Sequence, residues 1–145
     1  MSTKIDRRTG LEHLDRDECL RLLASAPIGR LAVVVAGRPI VFPVNFTLDG
    51  SAIVFRTDAG TKLHGARNGP VAFECDGVDV MYHSGWSVVV AGQVEEVRNP
   101  LDIARVEVLP LGPWCPGPKP TWLRIRGQSI TGRRIPPPSA KPQGS

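Results

Sequence analysis

The alternation of apolar and polar positions divides the chain into short helices and strands. Asp15, with Glu18 three residues later, has the spacing of a helix N-cap followed by a capping-box acid. The pattern therefore predicts a helix over residues 15–26, which Pro27 and Gly29 end. Its expected apolar face consists of Cys19, Leu20, Leu23 and Ala24.

After Gly29 the apolar pattern changes to that of β-strands. Runs rich in Val, Ile and Phe, separated by turn residues, predict strands at 30–36, 39–47, 51–57, 71–75, 85–97, 121–126 and 129–135. Gly92, inside the fifth run, predicts a bulge. Two further helices are expected, over residues 61–68 and from Asn99-Pro100 to about Leu109, the latter with Leu101, Ala104 and Val108 at helical spacing. Residues 76–84 read as a polar loop.

Six or seven short strands with small helices predict a mainly β fold. The Asp49-Gly50 turn favours a hairpin, so antiparallel pairing is expected. The valine runs at 33–35 and 88–90 are apolar on both faces, and a barrel closed with the help of a second subunit would leave few exposed strand edges. The chain of 145 residues suits one domain, which we place at 13–135, between a flexible N-terminus (1–12) and a disordered tail (136–145).

Charge and composition narrow the possible functions. The net charge is only +4, but residues 119–145 contain six basic residues and no acidic one. Such a segment can meet a phosphate, an oligo-glutamate tail or nucleic acid, or it can simply be solvated. Aromatic residues make up 6% of the chain and do not alternate with basic ones, which argues against nucleic-acid binding.

Neither a secretion signal, a membrane span nor a metal site is predicted. The N-terminus has no apolar core of a signal peptide, and no apolar run is long enough to cross a bilayer, so we expect a cytoplasmic protein with reduced thiols. The histidines are scattered and the cysteines lack CxxC spacing. Cys19 is expected to pack on the first helix.

Groups suited to phosphate binding are concentrated in residues 55–62. There Arg56 and Thr57 end a strand, and Thr61 and Lys62 begin a predicted helix after a glycine. A helix N-terminus with nearby cations and hydroxyls can bind a phosphate. Strand geometry places Arg56 and Thr57 on opposite faces unless the strand has turned, and an ordinary polar strand-to-helix connection remains the alternative.

Two further segments carry residues suited to ligand contact. Pro43, in mid-strand, indicates an edge strand or a bulge, where neighbouring backbone N–H groups can face a ligand. At the start of the fifth predicted strand, Gly85 allows close approach, Trp86 offers a large ring and Ser87 a hydroxyl. An ordinary edge strand and a core tryptophan are the alternatives.

With these segments in order, the chain resembles the pyridoxamine 5′-phosphate oxidase-like flavin-binding family, which borders nitroimidazole reductases and deazaflavin-dependent oxidoreductases. The matching stretches are 22–24, 28–31, 39–45, 53–57, 60–63, 71–74, 85–92 and 130–135. The resemblance implies a split β-barrel and a homodimer with one FMN in each of two clefts between the subunits. The longer pyridoxamine phosphate oxidases carry additional substrate-phosphate residues near the C-terminus that this sequence lacks, so that exact reaction is not expected.

The resemblance also implies roles for particular residues. Arg56, Thr57 and Lys62, with Phe55 beside them, would hold the phosphate, and the backbone of Pro43, Val44 and Asn45 would lie against the flavin ring. Trp86 and Ser87 would complete the site, and Trp114, Trp122 or Arg124 could come from the other subunit. Because the cofactor carries the redox chemistry, no side chain identifies itself as the catalytic acid or base.

Four functions follow as hypotheses. The first is a flavin-dependent oxidoreductase acting on a small molecule. The second keeps the fold but uses a deazaflavin (F420), whose oligo-glutamate tail would suit the basic C-terminal segment. The third is a non-catalytic flavin or haem carrier, and the fourth is a nucleic-acid-binding barrel.

Overall fold

The computed structural model describes residues 4–57, 69–112 and 119–138. Within these ranges it contains two helices and nine strands. The helices are α1 (Arg16–Ser25) and α2 (Pro100–Glu107). The strands are β1 (Lys4–Ile5), β2 (Glu12–Leu14), β3 (Ile28–Val35), β4 (Arg38–Asn45), β5 (Thr47–Asp49), β6 (Ala52–Thr57), β7 (Pro70–Asp79), β8 (Ser84–Glu96) and β9 (Thr121–Ile135).

All strand pairs are antiparallel and belong to one sheet. The strands follow the order β1-β2-β9-β8-β7-β3-β4, and β6 pairs with both β5 and β9. The long β9 thus pairs with β6 through its first five residues and with β8 along most of its length. Strand β4 contacts β6, but among the described residues no ladder joins them, so the sheet curves into a barrel that is not fully hydrogen-bonded. The predicted mainly β, antiparallel architecture is confirmed.

In the second half of the chain, the strand boundaries differ from the prediction at two places. The last two predicted strands form the single strand β9, and the predicted polar loop at 76–84 is largely strand, because β7 runs to Asp79 and β8 begins at Ser84. The predicted bulge is confirmed: the register of β8 and β9 shifts between Ala91 and Gly92. A Cβ at Gly92 would lie 2.4 Å from the Arg126 carbonyl oxygen, so the backbones approach here too closely for a side chain.

Short elements account for the larger strand number. The Asp49-Gly50 hairpin forms, but its first arm is β5, which is separated from β4 at Phe46. At the N-terminus, β1 and β2 pair with each other, and β2 continues onto β9. Part of the segment predicted to be flexible is therefore strand, and the domain limits stay a prediction.

Helix α1 starts as predicted but turns a different face to the core. The Asp15 carboxylate accepts a hydrogen bond from the Glu18 N–H at 2.8 Å, which caps the helix. Cys19, Leu22 and Leu23 are buried, whereas Ala24 is exposed. The prediction for Ala24 was therefore wrong, because Leu22 occupies the face that meets the sheet.

Helix α2 is capped as predicted, by the Asn99 side chain on the Leu101 N–H at 2.9 Å. Its predicted apolar face was wrong: Leu101 and Val108 are 81% and 82% exposed. Val106 is buried instead, in a small cluster with Val54, Val97 and Trp122. On the exposed side of the helix, Arg105 forms a bidentate ion pair with Asp49, with Nη2 2.7 Å from Oδ1.

The main core lies between α1 and the inner face of the sheet. Its largest fully buried side chains include Phe55, Phe73, Leu23 and Leu31. The Phe46 and Phe73 rings pack edge to face, with their centroids 4.8 Å apart. The predicted helix over 61–68 lies outside the described residues.

Candidate functional site

The end of β6 separates its last residues onto two faces. Phe55 is fully buried in the main core and Thr57 is 7% exposed, whereas Arg56 lies between them on the other face and is half-buried. The predicted alternation of Arg56 and Thr57 is thus observed. The Phe55 side chain is committed to the core, so only its backbone is placed to contact a ligand.

Two contacts orient Arg56. Its Nε donates to the Lys119 carbonyl oxygen at 2.9 Å. Its guanidinium carbon lies 4.5 Å from the centroid of the Trp122 ring, in a cation–π contact. Trp122 is itself 6% exposed and belongs to the small core cluster, so the arginine rests on a rigid support. A fixed guanidinium loses little freedom when it binds an anion.

The end of β4 comes next to the end of β6. Thr47 of β5 is paired with Val54 of β6. Because the two strands are antiparallel, the residues that precede Thr47 run beside those that follow Val54. Strand β4 contacts β6, which brings Asn45 to the neighbourhood of Arg56. Asn45 also donates from Nδ2 to the Pro27 carbonyl oxygen at 3.3 Å.

Strand β4 is the last strand of the sheet order, as the prolines within it indicated. Pro43 is exposed and paired with Arg30 of β3, while Val44 is half-buried. The predicted edge strand is confirmed.

Trp86 and Ser87 lie on opposite faces of β8. Trp86 pairs with Gly77 of β7 and packs against the main core. A Cβ at Gly77 would lie 2.5 Å from the Trp86 Nε1, so the indole lies flat across the glycine. Ser87 instead points to the outer face of the sheet, where it stands opposite Asp76 and Arg133.

A chain of polar contacts crosses this outer face. Ser87 Oγ donates to Glu74 Oε2 at 3.3 Å, and Arg30 Nη1 reaches Glu74 Oε1 at 3.3 Å and Asp76 Oδ2 at 2.8 Å. Burial raises the pKa of Glu74, and the hydrogen bond and charge of Asp76 raise it further, while Ser87 and Arg30 act in the opposite direction. Since Arg30 pairs with Pro43, the chain of contacts reaches the edge strand.

A groove of about 670 Å³ opens beside these carboxyls. Its walls include the apolar residues Leu11, Val78, Val80 and Ile135. Glu74, Asp76, Ser87, His83 and Arg133 contribute polar atoms to it. Apolar walls with a few polar groups are typical of small-molecule sites.

The structure therefore divides the predicted site residues into three groups. Arg56, Thr57 and Asn45 lie where β4 meets β6. Ser87 lies on the outer face, three strands from Asn45, which corresponds to about 15 Å of sheet at the usual strand spacing. Trp86 packs on the inner face but also lines the groove of about 670 Å³ together with Ser87. Lys62, Thr61 and Trp114 lie outside the described residues.

Sequence reasoning missed Arg30, Glu74 and Asp76. The signal was present in the run from Val71 to Asp76, where acids occupy alternate positions of an otherwise apolar strand. Arg124, considered for the partner side of the site, is paired within the chain with Glu95 at 2.8 Å and Asp102 at 3.8 Å, and its role at the site stays a prediction.

The described part of the chain also bears on metals and membranes. It contains no group of three or more His, Cys, Asp or Glu side chains placed to hold a metal ion. Among its helices, none has the length and apolar character to cross a bilayer.

Comparison with known proteins gives the family. A family model described as pyridoxamine 5′-phosphate oxidase matches residues 15–134. The chain belongs to this family. The predicted resemblance is thereby confirmed, and the family's split-barrel fold accounts for the curved, incompletely closed sheet.

Proteins with similar sequences are found in Mycobacterium and Corynebacterium species. The chain is 38% identical over 128 residues to an uncharacterized protein of Mycobacterium tuberculosis, with 84% of each chain covered. It is also 38% identical to the FAD binding protein of Mycobacterium smegmatis, and the two structures superpose with a TM-score of 0.74. The match covers 85% of this chain and 96% of the Mycobacterium smegmatis chain. A conserved protein of unknown function from Corynebacterium diphtheriae is 34% identical, with the same TM-score and coverage.

Proposed function

We propose that the protein binds a flavin and is a flavin-dependent oxidoreductase acting on a small molecule. The observation that carries this proposal is the 38% identity, over 85% of the chain, to a protein named for FAD binding. The end of β6 supports it independently. There Arg56 is held in place by the Lys119 carbonyl oxygen and the Trp122 ring, which suits it to bind the phosphate of a flavin.

The residues present fit that phosphate. The Nε of Arg56 donates to the Lys119 carbonyl oxygen, and the face of its guanidinium packs on the Trp122 ring. A phosphate would therefore accept hydrogen bonds from the terminal nitrogens of Arg56. Charge-assisted hydrogen bonds of this kind contribute roughly 1.5–3 kcal/mol each. Lys62 would add a second cation, and the backbone of Pro43, Val44 and Asn45 would lie along the ring. When bound, the flavin supplies the electrons, and the chain's own residues bind and orient it.

We propose further that the protein is a homodimer and that each flavin lies between two copies. Ser87 is separated from Asn45 by three strands, so contact of both with one ring is most readily supplied by two different subunits. The outer face of the sheet suits a partner surface, because Val34 and Val41 are 58% and 63% exposed there. Next to Val41, a row of small residues continues across the neighbouring strands, namely Ala32 of β3, Ala72 of β7 and Ala91 of β8.

The cofactor is predicted to be FMN, whereas the Mycobacterium smegmatis relative is named for FAD. Both cofactors share the ring and the first phosphate, which are the parts that the described residues would hold. The test is a visible spectrum of the purified protein, followed by separate titrations with FMN, FAD and the deazaflavin. Saturable binding of FMN or FAD in the micromolar range or tighter supports the proposal. Binding of the deazaflavin alone favours the deazaflavin reductase, and failure to bind any of them refutes flavin binding.

Catalysis and assembly need separate measurements. The bound flavin should be reduced anaerobically by NADH or NADPH and reoxidised by a small acceptor, and a flavin that no donor reduces would indicate a carrier. Size-exclusion chromatography with light scattering should give twice the mass of 15.7 kDa. Replacing Ala72 by Glu on the outer face should shift the protein to the monomer and weaken flavin binding together.

A further inference from the structure

The outer-face groove contains a titratable side chain, Glu74, that the sequence did not identify as a candidate for the chemical step. We propose that Glu74 exchanges a proton with the substrate, and that this substrate is a small carbonyl compound bound in the groove. The proposal rests on the proposed function, because the bound flavin is the source of the electrons. It goes beyond that function by assigning the proton to a named carboxyl and the substrate to a defined part of the surface.

The first argument is position. Glu74 lies between Ser87 on β8 and Arg30 on β3, and Arg30 is paired with Pro43 on β4. Ser87 is a candidate contact of one flavin, whereas in the proposed dimer Pro43 of the same subunit contacts the other. The carboxyl therefore lies beside the Ser87 end of one flavin site and opens into the groove.

The second argument is the charge balance around the carboxyl. Glu74 and Asp76 stand two residues apart on the same face of β7, and both use one arginine, with Asp76 the nearer at 2.8 Å against 3.3 Å for Glu74. One positive charge does not fully compensate the negative charges of two carboxylates, so the pair is stabilised when one of the two keeps a proton. The proton would remain on Glu74, because this carboxyl is the more distant of the two from the arginine. Burial raises the pKa of Glu74 in the same sense.

The third argument is that the Glu74 carboxyl can be reached from the groove while hydrogen bonds hold it in place. The Glu74 side chain is 31% exposed, so it is partly shielded yet reachable from the groove. Ser87 fixes one of its oxygens and Arg30 the other. Four further charged or titratable groups face the groove and share its electrostatics: Asp76 and Asp79 of β7, His83 in the following turn and Arg133 of β9.

These groups suit the reduction of a carbonyl. A bound reduced flavin would supply the hydride that adds to the electrophilic carbon. The C=O π bond would then open toward oxygen, and Glu74 would donate its proton to that oxygen. The products are the alcohol or enol, the oxidised flavin and the Glu74 carboxylate, which solvent then reprotonates. Arg133, across from Ser87, would stabilise negative charge on the oxygen, while Val78, Val80 and Ile135 would hold the apolar part.

The first test concerns the carboxyl itself and needs no turnover. Glu74 should titrate above its ordinary range when followed by carbon-13 carboxyl NMR in the protein as purified. Removing the neighbouring charge with Asp76→Asn should lower its pKa. A Glu74 carboxyl that titrates within or below its ordinary range overturns the assignment.

The second test separates proton transfer from electron transfer. The photoreduced holoprotein is mixed with menadione or with ferricyanide. Menadione is a conjugated carbonyl acceptor that takes a hydride and a proton, that is, two electrons and two protons, whereas ferricyanide takes electrons only. Glu74→Gln should slow reoxidation by menadione about 100-fold while leaving reoxidation by ferricyanide unchanged. The wild-type menadione rate should fall as pH rises through the pKa of Glu74, and the variant rate should stay low at every pH.

The matched control is Glu107→Gln, on the exposed face of α2, which makes the same chemical change far from the groove. Glu74→Asp, which keeps an acid, should recover part of the menadione rate. A Glu74→Gln protein that binds flavin normally and reoxidises with menadione at the wild-type rate overturns the role of Glu74 alone. A wild-type protein that binds no flavin overturns the proposed function, and the proton transfer with it.

Discussion

The guanidinium of Arg56 rests on the ring of Trp122, with its central carbon 4.5 Å from the ring centroid. Arg56 and Trp122 are also direct partners in the β6–β9 ladder, so the contact is built into the sheet register. If this arginine binds the flavin phosphate, Arg56→Ala should weaken flavin binding about tenfold or more, because a charge-assisted hydrogen bond is lost. Flavin fluorescence during titration measures the change.

Arg38→Ala is the matched control for this prediction. Arg38 is exposed at the start of β4 and carries the same charge, so its removal reports the effect of net charge alone. Equal weakening in both variants would show that Arg56 has no specific role. Trp122→Phe should retain the fold and reduce affinity by a smaller factor, since a phenyl ring attracts a cation less than an indole does.

Gly77→Ala should displace the Trp86 indole. The added methyl would lie 2.5 Å from Nε1 and 2.9 Å from Cε2 of that ring, so the ring has to move. We expect a shift in tryptophan fluorescence and a loss of about 1–3 kcal/mol in the free energy of unfolding. Gly112→Ala is the control, because a Cβ there meets nothing within 4 Å. Unchanged fluorescence and stability would mean that the indole does not pack on Gly77.

Local patterns were sufficient for most of the fold. Four features each follow from the conformational preference of one residue and its near neighbours in sequence. They are the helix caps at Asp15 and Asn99, the bulge at Gly92 and the edge strand at Pro43. The orientation of α2 was not predictable in this way. It follows from the burial of Val106 against Val54 and Trp122, which are distant from it in sequence.

The candidate site was predictable only in part, for the same reason. The resemblance identified Arg56 and Ser87, but which face each occupies follows from strand register. Glu74 was missed because its environment is made by Arg30, Asp76 and Ser87 from three strands. A carboxyl acquires a raised pKa from its spatial neighbours, which a linear pattern does not show.

Glu18 should make stability depend on pH in the acid range. Hydrogen bonds from Arg21 and Arg134, each at 2.8 Å, hold the pKa of Glu18 at about 2, below its ordinary 4.5. Because the folded-state pKa is lowered, this contribution is fully present above pH 4.5 and is lost as the pH falls toward about 2. Wild type should therefore be more stable than Glu18→Gln at pH 7, and the difference should shrink below pH 4.5.

Urea denaturation at a series of pH values measures this difference. Asp17→Asn, one position away and exposed, is the control and should show no comparable dependence. A difference between wild type and Glu18→Gln that stays constant down to pH 2 would contradict the assigned ion pairs. The readout also tests the fold, since Arg134 of β9 is 116 residues from Glu18.

Cys75 should be unreactive in the folded protein. Its side chain is fully buried, and burial, together with the charges of Glu74 and Asp76, raises the pKa of the thiol to about 12. Since the thiolate is the reactive form, iodoacetamide at pH 8 should leave Cys75 unlabelled in the native state and label it in urea. Mass spectrometry of the peptide that contains Cys75 gives the extent. Cys19, which is equally buried and whose pKa burial also raises, should behave in the same way. Rapid labelling of either residue in the native protein would mean that β7 or α1 opens readily. A cysteine would then become a candidate for the chemistry assigned to Glu74.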